Sequence, residues 1–200
     1  MADADRERWN RRYAERYAKR AYDFAPSRWL PEIEARLEPP YPGARALDLA
    51  CGPGRNAVWL AERGWTVDAW DLSDVALSIL VCEREERAAH GFPLAIDVRE
   101  TDLDAAEIPP ATYDLVLNML FLDRRLWPGM VAALRPGGLL AFETFVNLPG
   151  GRRSDVSPEH LLQPGELRAT FEALGLETLF SDEDGPRGTA RLLARRLARY

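Results

Sequence analysis

The sequence contains few of the residues that mark a secreted, metal-binding or membrane-spanning protein. Its 200 residues include only two cysteines, Cys51 and Cys82, which are too few for a disulfide framework and do not stand in metal-ligand spacing. No apolar run approaches the roughly 20 residues that a transmembrane helix requires. The first eight residues are too charged for a secretory signal. These absences favour the reducing cytoplasm, with no metal site and no membrane partner.

Positive charge is scarce as well. The 32 Asp and Glu residues outnumber the 26 Lys and Arg residues, which leaves a net charge of −6, and Lys19 is the only lysine. This balance argues against a nucleic-acid partner, as does the lack of stacking aromatics among the arginines near the C-terminus. The alternation around Leu192 and Leu193 instead predicts an edge strand whose charges prevent pairing with other chains. Those arginines are Arg187, Arg191, Arg195, Arg196 and Arg199.

What remains is the composition of an ordinary globular protein, with 46% hydrophobic and 29% charged residues. A length of 200 residues favours one domain with one core. We expect residues 1–40 to form an N-terminal helical cap and residues 41–200 to form the core of that single domain. The prolines of residues 39–43 separate the two parts, because proline restricts both its own backbone and that of the preceding residue.

Two helices are predicted in the cap. The first covers residues 4–24, where Trp9, Tyr13 and Tyr17 recur at a four-residue spacing and therefore share one helix face. The second is short and covers residues 29–37. The cap therefore presents an aromatic stripe, which serves either to dock the helix or to line a site.

In the core, apolar strands alternate with helices. This alternation is typical of a doubly wound α/β fold, in which a mostly parallel sheet is covered on both faces. The last two of the seven strands have no helix between them, which predicts an antiparallel C-terminal hairpin. Ligands of such sheets bind beyond the carboxyl ends of the strands. The predicted strands span residues 45–50, 66–70, 94–98, 113–118, 139–145, 176–180 and 189–194, and the predicted helices span residues 54–63, 74–89, 128–134 and 164–173, with a break at residues 135–138.

The turn after the first of these strands is the most informative stretch of the sequence. Gly52 and Gly54 let the backbone turn sharply and let a ligand approach without a Cβ in the way. A dinucleotide-binding loop has a third glycine where this chain has Ala57, a substitution that such loops tolerate. The glycines alone therefore fit a bound nucleotide, another ligand or a tight turn that binds nothing.

Two carboxylates at the ends of the next strands favour a nucleoside ligand. Asp71 lies about 20 residues beyond the turn, where an acidic side chain accepts hydrogen bonds from ribose hydroxyls. Its structural alternatives are a helix N-cap and a solvated loop carboxylate. Asp102 follows the third strand, where it is placed to accept from an adenine amino group while Leu103 packs on the ring. Each of these features alone is common in proteins. The turn and the two carboxylates at successive strand ends indicate a nucleoside ligand only when they occur together.

Several stretches of the core match the motifs of one enzyme family. Residues 47–54 are similar to its first motif, Asp71 to its ribose-binding residue and residues 101–103 to its adenine-side motif, while residues 113–118 and 134–140 resemble later motifs. The chain thus resembles the class I S-adenosylmethionine-dependent methyltransferases, which implies a Rossmann-like fold and S-adenosyl-L-methionine as the cofactor. The residues that the resemblance implies for the cofactor site are Arg12, Asp48, Ala50, Cys51, Gly52, Gly54, Asp71, Leu72, Thr101, Asp102, Leu103 and Asn118.

Four further stretches resemble one branch of that family, related to the tellurite-resistance and thiopurine-type methyltransferases. They are residues 9–13, 54–56, 143–145 and 162–167. Trp70 departs from the small or branched residue expected before Asp71. The branch does not define a substrate.

The resemblance implies transfer of a methyl group in line to a small-molecule acceptor, which carries sulfur, oxygen, nitrogen or a chalcogen oxyanion. Trp9, Tyr13 and Phe121 are expected on the acceptor side. No catalytic residue is identified, because a soft acceptor needs little help from a base. The residues considered as bases are Asp123, Glu143, Glu166, His90 and His160, while Cys51 and Cys82 are interpreted as small buried apolar residues.

Two other functions fit the same core. One is a noncatalytic module that binds S-adenosylmethionine or a partner, and the other is an NAD-dependent oxidoreductase, which the Asp102 motif and the terminal hairpin disfavour. The sequence leaves open the acceptor, the pathway and whether the protein is a monomer or a homodimer.

Overall fold

Seven strands and six α-helices are present in the computed structural model, which describes residues 2–19, 23–37, 41–148 and 156–198. The helices are α1 (Ala2–Ala18), α2 (Trp29–Ile33), α3 (Arg55–Ala61), α4 (Asp74–Ala89), α5 (Trp127–Ala133) and α6 (Glu166–Ala173). The strands are β1 (Arg45–Leu49), β2 (Thr66–Asp71), β3 (Ile96–Glu100), β4 (Tyr113–Met119), β5 (Leu134–Phe145), β6 (Leu176–Asp184) and β7 (Thr189–Arg196).

The strands form one mixed sheet in the order β3-β2-β1-β4-β5-β7-β6. Strand β2 pairs in parallel with β1 and β3, and β4 pairs in parallel with β5. Strand β7 pairs antiparallel with both β5 and β6. The predicted α/β fold, mostly parallel with an antiparallel C-terminal hairpin, is therefore confirmed. By packing, the chain divides into two units, Met1–Ala106 and Glu107–Tyr200.

In the first unit, β1 and β2 are buried at every residue except the first of each, as expected of parallel strands covered on both faces. Helix α4 begins where the sequence predicts, because the Ser73 side chain accepts a hydrogen bond of 3.1 Å from the amide of Ala76. Gly54 adopts a left-handed φ of 79° before α3, and a Cβ there would collide with the Leu80 side chain. These contacts bring the ends of β1 and β2 to the start of α4.

In the second unit, an aromatic cluster attaches two helices to the sheet. The ring centroids of Trp127 in α5, Phe142 in β5 and Phe171 in α6 lie 5.2 to 6.1 Å apart. All three residues are buried, and Phe171 has no exposed surface. The cluster therefore forms the core against which the long strand β5 packs.

Most predicted elements are present, with ends that differ by a few residues. The predicted helix over residues 4–24 is α1, Ala2–Ala18. The third strand lies at Ile96–Glu100 rather than at residues 94–98. Only Ile96 of this strand is buried, and the polar residues that follow pair with the end of β2 on an outer strand. An apolar pattern cannot locate the end of such a strand.

Two predictions about the second unit are wrong. Residues 135–138 do follow the end of the helix, since α5 ends at Ala133, but the strand predicted from residue 139 begins at Leu134 and includes them, with a shift of register against β4 between Tyr113 and Leu115. The strand with the C-terminal arginines is not at the edge of the sheet. It is β7, flanked by β5 and β6, and its Arg191 is only 5% exposed.

Some predictions fall outside the described residues. These include the prolines at positions 39 and 40 and Arg199. The boundary between a cap of residues 1–40 and a core of residues 41–200 stays a prediction. Among the residues described, no helix has both the length and the apolar character needed to cross a membrane.

We predict that Phe171→Ala lowers the free energy of unfolding by about 3–5 kcal/mol, because it leaves a cavity within the aromatic cluster. The matched control is Phe92→Ala, since Phe92 is 69% exposed and its removal should change stability by less than about 0.5 kcal/mol. Urea unfolding of both variants measures the difference. Equal losses of stability would contradict the packing described for the second unit.

Candidate functional site

The carboxyl ends of β1, β2 and β3 meet in the first unit, as parallel strands require. The turn after β1 has left-handed backbone at Ala50, Gly52 and Gly54, with φ angles of 52°, 55° and 79°. The Cys51 amide donates a hydrogen bond of 3.0 Å to the carbonyl of Trp70 in β2. The turn is thereby held beside the end of β2 with its backbone sharply folded.

Asp71 connects this turn to the start of α4. One carboxylate oxygen accepts a hydrogen bond of 2.7 Å from the Gly52 amide, and the other accepts one of 2.8 Å from the Ser73 amide. Asp71 is 8% exposed, and burial raises its pKa against the lowering effect of these amides. It is therefore neither the N-cap of α4 nor a solvated loop residue. Each oxygen keeps a lone pair for a further donor.

Asp48 is the least satisfied polar side chain of the site. It is 1% exposed, and neither carboxylate oxygen has a hydrogen-bond partner among the described residues. Burial and the nearby charge of Asp71 raise its pKa from 3.8 to about 8. Arg55 and the backbone amide of Ala57 offset this rise in part, but neither makes a hydrogen bond of normal geometry with it. A buried carboxylate without partners suits a cationic ligand group.

Helix α1 contacts the ends of all three strands through one face. Asn10 accepts a hydrogen bond of 2.6 Å from the Ser73 hydroxyl and donates one of 2.7 Å to Asp74. The Tyr13 hydroxyl lies 2.8 Å from the position that a Cβ on Gly52 would occupy. Arg6 forms an ion pair of 3.2 Å with Glu100 at the end of β3.

Arg6 and Asn10 were not predicted as site residues from the sequence. Together with Tyr13 they occupy positions i, i+4 and i+7 of α1, a spacing that places them on one face. The aromatic stripe drew attention instead to Trp9, Tyr13 and Tyr17. A polar stripe was the available signal, but polar residues on a helix usually face solvent.

The remaining predicted residues of α1 form a partly exposed stack. Trp9 and Tyr13 are half-buried, with ring centroids 5.8 Å apart and planes at 25°. The Arg12 guanidinium lies 5.1 Å from the centre of the Trp9 ring and is exposed. Tyr17 is 54% exposed. The assignment of Arg12 to a cofactor and of Trp9 and Tyr13 to an acceptor stays a prediction.

The loop after β3 is hydrogen-bonded to the end of β2. The Thr101 amide donates a hydrogen bond of 2.8 Å to the carbonyl of Asp71. Asp102 is half-buried and accepts a hydrogen bond of 3.0 Å from the Asp104 amide, while Leu103 is buried and Leu72 is half-buried. The structure therefore brings together the predicted residues of the turn, the end of β2 and the loop after β3.

Asn118 and Phe121 belong to the second unit. Asn118 lies in a fully buried stretch of β4, and its side-chain amide donates a hydrogen bond of 2.8 Å to the carbonyl of Phe121. Its side-chain oxygen has no partner among the described residues. Phe121 is half-buried. The roles predicted for both residues stay predictions.

The carboxylates considered as bases are all engaged in ion pairs. Burial raises the pKa of Asp123, but hydrogen bonds from Arg125 outweigh it and the net pKa is lowered. The hydrogen bond from Arg124 lowers the pKa of Glu166. Buried Glu143 forms an ion pair of 3.4 Å with Arg191. Asp123 and Glu166 are thereby poor proton acceptors near neutral pH.

The histidines and cysteines offer little to such chemistry. His90 and His160 are both exposed. Cys51 is buried, and desolvation raises its pKa well above the usual range, so it carries a neutral thiol. Cys82 is exposed, contrary to the prediction that both cysteines are buried. It lies two residues beyond buried Leu80, which turns it toward the solvent side of α4.

Comparison with known proteins agrees with this geometry. Residues 46–138 match the model of a family described as a methyltransferase domain. This part of the chain resembles a class I S-adenosylmethionine-dependent methyltransferase. The chain is 37% identical over 101 residues to a malonyl-[acyl-carrier protein] O-methyltransferase of Salmonella typhimurium, which covers 50% of this chain and 39% of that protein.

The predicted resemblance to the tellurite-resistance branch is confirmed as well. The probable S-adenosyl-L-methionine-dependent methyltransferase TehB of Haemophilus influenzae is 29% identical to this chain over 94 residues, 46% of this chain and 31% of TehB. The crystal structure of TehB from Haemophilus influenzae superposes with a TM-score of 0.68 at 22% identity, over 84% of this chain and 61% of that one. The chain thus spans about a third to two fifths of the length of these two curated relatives.

We predict that Asp48→Asn stabilises the ligand-free protein, and does so more at pH 8 than at pH 5. Because the pKa of Asp48 is raised to about 8 in the folded chain, ionisation favours the unfolded state between its ordinary pKa and about pH 8. The loss of stability is at most ~1.4 kcal/mol per pH unit over that range. The variant lacks this loss, so its advantage grows with pH. Urea unfolding at the two pH values measures it.

The control for this prediction is Asp97→Asn, at an exposed position on β3. Its stability should follow the pH dependence of the unmodified chain. If Asp48→Asn and the unmodified chain also lose stability in parallel between pH 5 and pH 8, then Asp48 is not a buried acid with a raised pKa.

Proposed function

We propose that this chain binds S-adenosyl-L-methionine at the ends of β1, β2 and β3 and transfers its methyl group to a small-molecule acceptor, releasing S-adenosylhomocysteine. The observation that carries the proposal is the buried carboxylate of Asp48, which has no hydrogen-bond partner in the part of the chain that the structure describes, together with Asp71, which binds the backbone of the glycine turn. Within a methyltransferase domain, this arrangement supplies acceptors for both ends of the cofactor.

The residues present fit the nucleoside half of the cofactor. Asp71 retains one lone pair on each oxygen after binding two backbone amides, which matches two adjacent ribose hydroxyls. Leu72 and Leu103 supply apolar surface for an adenine ring. Asp102 lies next to Leu103 and supplies the acceptor for an exocyclic amino group.

The residues at the end of β1 fit the amino-acid half. Asp48 would bind the ammonium group, since a buried carboxylate with no internal partner gains most from a cation. The backbone of Ala50, Cys51 and Gly52 would lie against the same end, because the left-handed turn leaves little side chain in the way. Arg12 would neutralise the carboxylate of the amino-acid end.

When bound, S-adenosylmethionine supplies an electrophilic methyl group on a sulfonium sulfur. The chain's own task is then to hold the acceptor in line with that methyl group and to exclude water. Trp9 and Tyr13, stacked on α1 next to the glycine turn, would form the acceptor side. Because Asp123 and Glu166 are held by arginines, we propose an acceptor that arrives as a ready nucleophile, such as a thiolate or a chalcogen oxyanion.

We predict that Asp71→Ala lowers the affinity for S-adenosylhomocysteine by roughly 100-fold or more, because two hydrogen bonds to a charged acceptor are lost and the glycine turn loses its anchor. Isothermal titration calorimetry measures the affinity. Asp97→Asn is the control, and far-UV circular dichroism verifies that both variants fold. An Asp71→Ala variant that binds as tightly as the unmodified chain would refute the proposed cofactor site.

We also predict turnover with at least one member of a panel of thiols, chalcogen oxyanions and small carboxylic acids, measured as S-adenosylhomocysteine formed. Tight binding of the cofactor without turnover on any member favours the noncatalytic module. A larger rise in melting temperature with NAD than with S-adenosylmethionine would favour the oxidoreductase, since a ligand raises stability according to its affinity for the folded state.

A further inference from the structure

Helix α1 closes the cofactor site proposed above. Asp48 is 1% exposed and Asp71 is 8% exposed, and Gly52 and Gly54 are buried as well. The Tyr13 hydroxyl occupies the space immediately outside Gly52. A cofactor can therefore reach these groups only when α1 moves away from the glycine turn.

The packing of α1 is weak enough for such a movement. None of the described side chains at residues 3–18 is fully buried, so little apolar surface holds the helix in place. Segments with few buried apolar contacts open at low cost in free energy. The position of α1 therefore depends on its polar contacts.

The contacts made by Asn10 are the strongest of these. Arg6 and Glu100 are 38% and 48% exposed, and ion pairs of that exposure contribute little. Asn10 instead makes two hydrogen bonds of 2.6 and 2.7 Å, with the hydroxyl of buried Ser73 and with the carboxylate of exposed Asp74. The first bond is partly buried, and the second has a charged acceptor.

Asn10 also reaches the cofactor-binding carboxylate through one residue. The Ser73 hydroxyl that binds Asn10 accepts from the Ala76 amide as the N-cap of α4, and the amide of the same Ser73 donates to Asp71. A continuous chain of hydrogen bonds thus runs from α1 through Ser73 to Asp71. The end of α4 that orders Asp71 is the same end that holds α1.

We infer that Asn10 is a positioning residue that latches α1 over the cofactor loops and sets the rate at which the cofactor and its demethylated product are exchanged. The inference rests on the proposed function, because it requires a cofactor at Asp48 and Asp71. The product must leave in every cycle, and the opening of such covering segments often limits turnover. Loss of the latch speeds exchange without removing any group that binds the cofactor.

The test reverses the direction of one hydrogen bond. Asn10→Asp removes the donor and sets two carboxylates against each other at Asp74, which breaks the latch. Adding Asp74→Asn restores a donor from the opposite side, while the aspartate at position 10 still accepts from the Ser73 hydroxyl. If Asn10→Asp acted only by changing α1 itself, a second substitution on α4 would not reverse its effect.

The measurement is the release of radiolabelled S-adenosylhomocysteine from the full chain into an excess of unlabelled compound. We expect Asn10→Asp to release it about tenfold faster, and Asn10→Asp with Asp74→Asn to return to within about threefold of the unmodified chain. Arg11→Ala, at an exposed position on the same helix, should not change the rate. In the absence of ligand, the rate of hydrogen exchange of the α1 amides should rise in the Asn10→Asp single variant, but not in the variant that also carries Asp74→Asn.

The outcomes separate the two claims. If the unmodified chain does not bind S-adenosylhomocysteine, the proposed function and the latch both fail. If it binds, but Asn10→Asp releases the compound at the unmodified rate, only the latch is refuted. The same holds if the second substitution, in a folded protein, does not restore slow release.

Discussion

The pair of hydrogen bonds that Asp71 accepts from the amides of Gly52 and Ser73 organises the ends of the first strands. A sharp left-handed turn leaves backbone amides without ladder partners, and such groups are costly when buried. The carboxylate at the end of β2 satisfies one amide on each side of it. The same side chain that orders the turn is the one that we propose binds the sugar of a nucleoside, so structure and proposed function share one group.

Asp48 differs from Asp71, because its carboxylate does not satisfy neighbouring backbone amides. Neither of its carboxylate oxygens has a hydrogen-bond partner among the described residues, and burial raises its pKa to about 8. Its charge therefore does not stabilise the folded chain. Groups of this kind concentrate at functional sites, because a ligand supplies the interaction that the protein lacks. A buried acid beside a satisfied acid, at neighbouring strand ends, gives the site one group for stability and one for binding.

The positions of the strand ends could be predicted from the sequence more completely than the enclosure of the candidate site. The end of β2 at Asp71 and the start of α4 follow from local geometry. Asn10 and Arg6 were not predicted, since nothing local distinguishes a polar face that docks from one that faces water. Residues 135–138 were misjudged for a related reason. Pro136 and two glycines usually stop a strand, but here they lie within β5, in the segment where the register against β4 shifts.

By itself, the sequence determined the alternation of strands and helices, the glycine turn and the carboxylates that follow it. These features arise from backbone preferences and from burial patterns within short windows of the chain. Only the tertiary structure decided that Asp48 lacks a hydrogen-bond partner within the described ranges, that β7 lies inside the sheet with Arg191 buried, and that α1 covers Gly52 and binds Ser73. Each of these depends on contacts between residues far apart in the chain, which no local pattern encodes.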